Sequence, residues 1–459
     1  MAGLGVLSVV IALAYVMASP VAKASAQPQG HGRARMVITL FMDGGHGELY
    51  TPATTPTIAG LAAHGVEYTH ARSGVPSDSF PGLLDSFTGN DPTRTGIPYE
   101  VFYDRSYPST INLTEHPSYP GYPGTPPWNF VRKPTVFDSV HNAGLRTAFI
   151  ASQHTYSVLN GPSGNGIDNL KTPTLSFHCG SLDYRCAERF DNTNFHSLIK
   201  EVTGPTPPAL SGLYVMAPNQ AMKAGGIHNA AGTGPSAITA QALAYEDHEV
   251  AGLIAALKKA HRWQHTVLIV TADHGNNPIR PNPYPNCAQN DASAPNACPF
   301  IDPSTIDSYL GGHGIPVAHD TADDVALLWL KHPDQATRAL KLLNSPTARN
   351  RFAVSRLLTR KDLAALGAAP ANRTPDLAIS PRTGFDYDSV NSTKRAEHGG
   401  FHPGDRGIPL IVGGAVPHAG RVISTPVTNL QVAPTIASLL RVPFPSSEVP
   451  PLPGLTPGR

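Results

Sequence analysis

The sequence predicts an α/β fold in which a mostly parallel central sheet is sandwiched between helices. Three observations carry this. The run Met36–Phe41, MVITLF, has five apolar residues of six, with β-branched Val37, Ile38 and Thr39, and suits a short strand covered on both faces. A second such run, Thr266–Thr271 (TVLIVT), lies more than two hundred residues further on, and both runs lead into an aspartate followed closely by glycine. Between them, a helical pattern over Val136–Ala143 stops at Gly144 and gives way to a strand over Arg146–Ala151, the rhythm of βαβ units.

Ahead of the first strand, Gly3–Met17 is apolar apart from Ser8 and is followed by Ala24-Ser25-Ala26. This pattern predicts a secretory signal peptide over residues 1–26, although the usual positive charge at its start is missing. An uncleaved anchor is the alternative, but the run is short for a membrane span. The remaining residues, 27–459, are ample for a large core and read as one α/β unit with loop insertions near 105–134, 155–195 and 276–320. A net charge of +1, with 15% charged residues and no basic block, argues against a nucleic-acid docking surface. The 46 prolines and 42 glycines imply long ordered loops, because apolar segments recur along the whole chain.

In chain order, Thr57–His64 reads as a short helix ended by Gly65, and Val66–Tyr68 as the start of a strand. Over Ser73–Gly89 a loop turns into a helix: Pro81 suits a first turn, and Leu83, Leu84 and Phe87 have helical spacing. Ser79 therefore falls at or just before a helix N-terminus, where free backbone N–H groups stabilise a phosphate; a plain N-cap is the simpler reading. Tyr107–Pro134 is aperiodic and reads as a surface loop, a lid or one wall of a cleft, and Tyr156–Asn194 as irregular. Leu213–Ala217 reads as a strand, Ala237–Lys259 as a long amphipathic helix, and Asn276–Tyr309 as a polar insertion. Strands at Asp324–Leu330, Arg373–Ser380 and Ile408–Val412 and helices at Asp334–Leu343 and Ala433–Leu440 complete the chain.

The four cysteines form two close pairs, Cys179 with Cys186 and Cys287 with Cys298. In an exported chain these are most simply two local disulfides, although sequence leaves three pairings open. Neither spacing matches a structural zinc site.

Asp43 stands where the first strand ends, and Asp273-His274 where the second does. Ligands collect at the carboxyl ends of strands in α/β sheets, and two carboxylates with an imidazole suit zinc or another borderline divalent cation. His398, in the Gly-rich Glu397–Phe401 loop before a third strand, extends the set. Singly, each is as readily a turn, cap or loop residue; the order Asp, Asp-His, His across three strand-associated sites is what points to a metal.

With these residues in place, the chain resembles the alkaline phosphatase superfamily, and within it the type I phosphodiesterase and nucleotide pyrophosphatase branch. The resemblance runs in order through Met42-Asp43-Gly44, the helix from Thr55, Ser77-Asp78-Ser79-Phe80-Pro81, Thr88-Gly89, Tyr103-Asp104, Ala272-Asp273-His274-Gly275, Thr374-Pro375-Asp376, Glu397-His398-Gly399 and Val432-Ala433-Pro434-Thr435. It implies an alkaline-phosphatase-like catalytic domain over 27–459 and a secreted or periplasmic, metal-dependent hydrolase of small phosphoesters. It implies one metal, zinc by its ligands, on Asp43, Ser79, Asp273 and His274, with His398 belonging to a neighbouring metal. Ser79 stands where the branch has its nucleophile, and in-line attack through a phosphoserine is the implied course. Sulfatases share the fold, but Ser79-Phe80-Pro81-Gly82 is followed by Leu83, without the arginine of their pattern.

Two departures touch the second metal. The branch places an Asp and, four residues later, a His after a strand and a proline; here Pro218 is followed by Asn219, and the later position is Lys223. Asn offers a neutral oxygen, and a lysine ammonium binds no cation. Lys223 is then either a positive charge standing in for the metal or an ordinary surface lysine, with His228 a third option for the place. Glu100 replaces an Asn that donates to the phosphoryl group, so it must bind metal, pair with Lys223 or stay protonated. One intact and one altered metal site are expected. Rival readings are a phosphomonoesterase or phosphonate hydrolase on the same scaffold, or a degenerate metal-binding relative without turnover. Oligomeric state has no signature in the sequence.

Overall fold

The strand Met36–Met42 (β1) is buried along its whole length, and the central sheet is built outward from it. The computed structural model describes residues 34–106, 109–114, 125–174, 179–282, 298–416 and 420–455. The expected signal peptide and Cys287 lie outside them. The other sheet strands are β2 (Val66–Tyr68), β3 (Thr147–Ile150), β4 (Asn169–Lys171), β5 (Leu210–Val215), β6 (Thr266–Thr271), β7 (Leu410–Gly414) and β8 (Arg421–Ile423). Their order is β8-β2-β7-β6-β1-β5-β3-β4. Every neighbouring pair is parallel except those made by β7, which runs against both β6 and β2.

Alternation along β1 divides the core. Ile38, Leu40 and Met42 pack with α1 (Pro56–Ala63), through Ile58 and Leu61, and with other helices of that face. Val37 and Phe41 face the opposite layer, with Phe80, Leu83, Leu84 and Phe87 of α2 (Ser79–Thr88) and Val136, Phe137 and Val140 of α3 (Val136–Asn142). Helices on both faces explain why the strands read as continuous apolar runs. Capping fixes the helix starts: Asp78 accepts from Phe80 N ahead of α2, and a Thr135–Asp138 capping box opens α3.

The segment read as irregular, Tyr156–Asn194, instead holds β4 and the start of a 20-residue helix, α4 (Tyr184–Thr203). Its inner stripe mixes Phe195, Leu198 and Val202 with buried Glu188, Asp191 and Asn194, so the apolar periodicity is diluted. One of these buried acids serves a neighbouring helix. Asp191 accepts from Met216 N and Ala217 N, at 2.9 and 2.8 Å on Oδ2, and caps α5 (Ala217–Gly225). That helix takes the last residue of the strand expected over Leu213–Ala217. The long helix α6 (Ala237–Lys259) lies where expected, and its Asp247 accepts from Thr57 N and Ile58 N to cap α1. The final helix, α7 (Val432–Leu440), joins the α2 layer.

The supposed loop Tyr107–Pro134 contributes a strand, Ser109–Asn112, which pairs antiparallel with Val101–Asp104. A separate four-stranded antiparallel sheet, in the order Val317–Ala322, Ala326–Leu330, Leu377–Pro381, Val354–Thr359, was not legible as a unit. Trp329 and Leu327 fasten it to the main core, while Leu328 and Leu330 face a core of its own. The expected strand at Arg373–Ser380 starts only at Leu377, since Arg373 is drawn into an ion pair with Asp104, Nε to Oδ2 2.7 Å. Cys179 and Cys186 form a disulfide; Cys298 is also disulfide-bonded. Among the described residues no helix is long and apolar enough to cross a membrane.

Candidate metal and nucleophile site

β1, β5 and β6 are adjacent, so the segments leaving their carboxyl ends emerge together. Asp43 N donates to Val215 O at 2.9 Å, continuing the β1–β5 pairing to the point where the carboxylate is presented. Gly44 then turns the chain with φ +63°, and a Cβ there would lie 2.3 Å from Asn276 Nδ2 and 2.7 Å from Asn219 Oδ1. Both conformation and space call for glycine. β6 delivers Asp273 and His274 beside Asp43. α2 lies flush against this strand end because Gly82 has no side chain; a Cβ there would be 2.3 Å from Asp273 O.

That close approach brings Ser79, the first residue of α2, into the cluster. Its Oγ lies 3.1 Å from His274 Nε2. Asp78, not Ser79, is the N-cap, so the serine hydroxyl is left for another role. His274 Nε2 is 3.4 Å from Asp43 Oδ1 and 3.5 Å from Asp273 Oδ2. One donor atom from each of Asp43, Asp273 and His274 falls within 4.8 Å of the others, and no other such group occurs among the described residues.

The donor set fits a cation. His274 Nδ1 faces the Gly275 carbonyl at 2.8 Å; a carbonyl only accepts, so Nδ1 carries the proton and Nε2 is turned toward the carboxylates. Asp43 Oδ1 is buried and accepts no hydrogen bond. Burial opposes charge on His274, yet the Asp273 and Asp43 carboxylates outweigh it and raise its pKa to about 9. Asp273 itself is pushed up to about 6 by burial, with His274 pulling it down and Asp43 pushing it up. Two carboxylates that hold a proton this firmly mark a place for positive charge.

The remaining expected residues lie alongside. The His398 ring stacks on His274 with centroids 3.7 Å apart, and its Nδ1 is 3.0 Å from Glu397 Oε1. Burial, then His274 and Lys223, lower its pKa to about 3, so it is a neutral imidazole. Lys223, on α5, is paired with Glu397 rather than with Glu100, Nζ to Oε1 2.6 Å. Asn219 Oδ1 accepts from Asn276 Nδ2 at 3.2 Å. Burial raises the carboxyl pKa of Glu100, against the pull of Lys223. His228 does not enter this place: its Nε2 lies 3.1 Å from Glu48 Oε1, beside His46.

Three neighbours escaped the sequence reading. Tyr214 donates to Asp273 Oδ2 at 2.6 Å, and its hydroxyl oxygen lies 3.4 Å from Ser79 Oγ; it faces Phe41 across the β1–β5 pairing, near the end of a strand whose alternation put a polar-tipped ring on the α2 side. Asn276, two residues past His274, ties that loop to the Gly44 carbonyl at 2.9 Å. Glu397 takes Lys223 on one oxygen and Lys394 on the other, at 2.6 Å each.

A mostly parallel sheet between helices, with two carboxylates, an imidazole and a helix-terminal hydroxyl at its carboxyl edge, defines an alkaline-phosphatase-like hydrolase. The family described as type I phosphodiesterase / nucleotide pyrophosphatase matches residues 37–405, and the chain belongs to it. It is a hydrolase acting on phosphoester bonds, of a divalent-metal-dependent family. A search of curated proteins returns no match. Among solved structures, murine ectonucleotide pyrophosphatase / phosphodiesterase 5 is similar at TM-score 0.68 and 14% identity, over 89% of this chain and 95% of the other. An inactive threonine-to-alanine form of that murine protein, in complex with AMP, is similar at TM-score 0.68 and 14% identity, over 90% and 96%. The human counterpart is similar at TM-score 0.65 and 15% identity, over 89% and 95%.

Proposed function

We propose that the chain is an extracytoplasmic phosphodiesterase acting on nucleotide-like diesters or pyrophosphates through Ser79. The observation that carries this is Ser79 Oγ at 3.1 Å from His274 Nε2, beside the one group of three acid and imidazole donors close enough to share a metal ion among the described residues, and at the N-terminus of a ten-residue helix. Asp43, Ser79, Asp273 and His274 would hold a divalent cation, zinc by the donor set, which would supply Lewis acidity and lower the pKa of the hydroxyl. Ser79 Oγ gives its proton to solvent and attacks phosphorus in line. The P–O bond to the leaving group breaks, that oxygen takes a proton from solvent where its basicity requires one, and a phosphoserine that still carries the other ester group forms. Water then attacks the same phosphorus and returns the serine. Tyr214 holds Asp273 in orientation through its 2.6 Å hydrogen bond. The disulfide at Cys179–Cys186 and the leader-like start support export. The nucleotide in the murine complex supports a nucleotide-bearing substrate.

Hydrolysis of an aryl phosphodiester and an aryl phosphomonoester by wild type and Ser79→Ala tests the proposal. Preferential diester turnover, lost at least about a thousandfold in Ser79→Ala while zinc content and melting temperature hold, is expected. Turnover surviving in the variant would remove the nucleophile, and faster monoester turnover would replace the substrate class.

A further inference from the structure

We infer that this chain works with one divalent cation and that the Lys223 ammonium occupies the place of the second. The inference rests on the hydrolase reading above and concerns only the position beside it.

The three side chains offered to a second cation are Asn219, Lys223 and His398, and they do not fit one. Lys223 has no lone pair while it carries its proton, and it is locked in an ion pair with Glu397 at 2.6 Å. The side chains are 13% and 1% exposed, so the pair is shielded from water and salt. Glu397 Oε1 also lies 3.0 Å from His398 Nδ1 and accepts from the His398 backbone N–H at 3.1 Å, so the ammonium and the imidazole sit beside the same carboxylate oxygen. A divalent ion on His398 would sit against a fixed positive charge. The Asn219 oxygen is neutral and already accepts one hydrogen bond from Asn276. Lys394 pairs with the second oxygen of Glu397, so both oxygens of that carboxylate are already matched to lysine ammoniums.

Charge supports the same assignment. A carboxylate with a divalent cation presents one net positive charge to a phosphoryl group, and an asparagine with an ammonium presents the same. The two replacements therefore compensate each other: either alone would leave the place one charge too high or too low. An ammonium also donates hydrogen bonds to phosphoryl oxygen without any ligand set of its own.

Counting zinc per chain after saturation and desalting tests this. Wild type is expected to hold one zinc, and the double variant Asn219→Asp, Lys223→His to hold two. Two in the wild type, or one in a folded double variant, would overturn the inference. Should melting show the double variant unfolded, Lys223→Met decides: one zinc with diester turnover down at least about a hundredfold is expected, and unchanged turnover would overturn the ammonium's role. No zinc and no turnover in the wild type would refute the hydrolase reading itself, whereas two zinc ions with turnover would refute this inference alone.

Discussion

Replacing Gly82 by alanine would test how the nucleophile is held. The new Cβ would lie 2.3 Å from Asp273 O, 2.8 Å from its carbonyl carbon and 3.0 Å from its Cβ. Ordinary contact needs about 3.5 Å, so α2 is about 1 Å too close, and backbone atoms offer no flexible tip to swing aside. The helix must back away, carrying Ser79, one turn earlier, off its 3.1 Å approach to His274. A 1 Å misplacement of a reacting group costs about a hundredfold in rate, while overpacking costs about 1–3 kcal/mol of stability. The expected result is kcat on an aryl diester down about a hundredfold, with melting lowered by only a few degrees and zinc still bound. Gly60→Ala is the control: a Cβ there meets nothing within 4 Å, so turnover should be unchanged and α1 slightly more stable. Gly82→Ala with kcat within threefold of wild type would refute the argument that this contact sets the geometry.

Two further perturbations follow from the surroundings of the site. Tyr214→Phe keeps the buried ring but removes the hydroxyl on Asp273 Oδ2, so zinc affinity and kcat/KM should each fall about 10- to 100-fold; titration against a competing chelator would show it, and unchanged affinity would mean the hydroxyl is idle. Asp191 titrates near 8 because burial outweighs the backbone N–H groups it accepts from. An acid whose pKa is raised on folding holds its proton longer in the native state, so stability is fully present below about 4 and drains away as pH rises toward 8, by at most about 1.4 kcal/mol per pH unit. Asp191→Asn keeps an acceptor for Met216 and Ala217, and denaturant midpoints between pH 5 and 8 should lose that share of their slope.

Legibility tracked how local each signal was. β1 and β6 stood out because strands buried on both faces are apolar throughout, and α6 was placed to the residue by the length of its amphipathic run. Asp43, Ser79, Asp273 and His274 could be singled out as candidates because strand ends and helix starts can be read from short windows, and the fold brings the four together. α4 was not, because Asp191 is buried for a neighbouring helix's sake, and no window on α4 reveals that. The Lys223–Glu397 and Tyr214–Asp273 contacts are made across the fold, from α5 and from the segment after β6, so neither shows in a short window. The second sheet failed for a related reason: Val354–Thr359 alternates weakly, and its pairing with Leu377–Pro381 defines it better than its own composition.

Ser79 and His274 are 195 residues apart, and the strands that carry Asp43 and Asp273 to the same edge are separated by several other elements. No partial chain can assemble this cluster, because loop closure over such distances is rewarded only once the centre of the sheet is in register. Bound metal therefore certifies a finished molecule. On the proposed site, the ratio of tightly held divalent metal to protein would count the correctly assembled fraction without an activity assay.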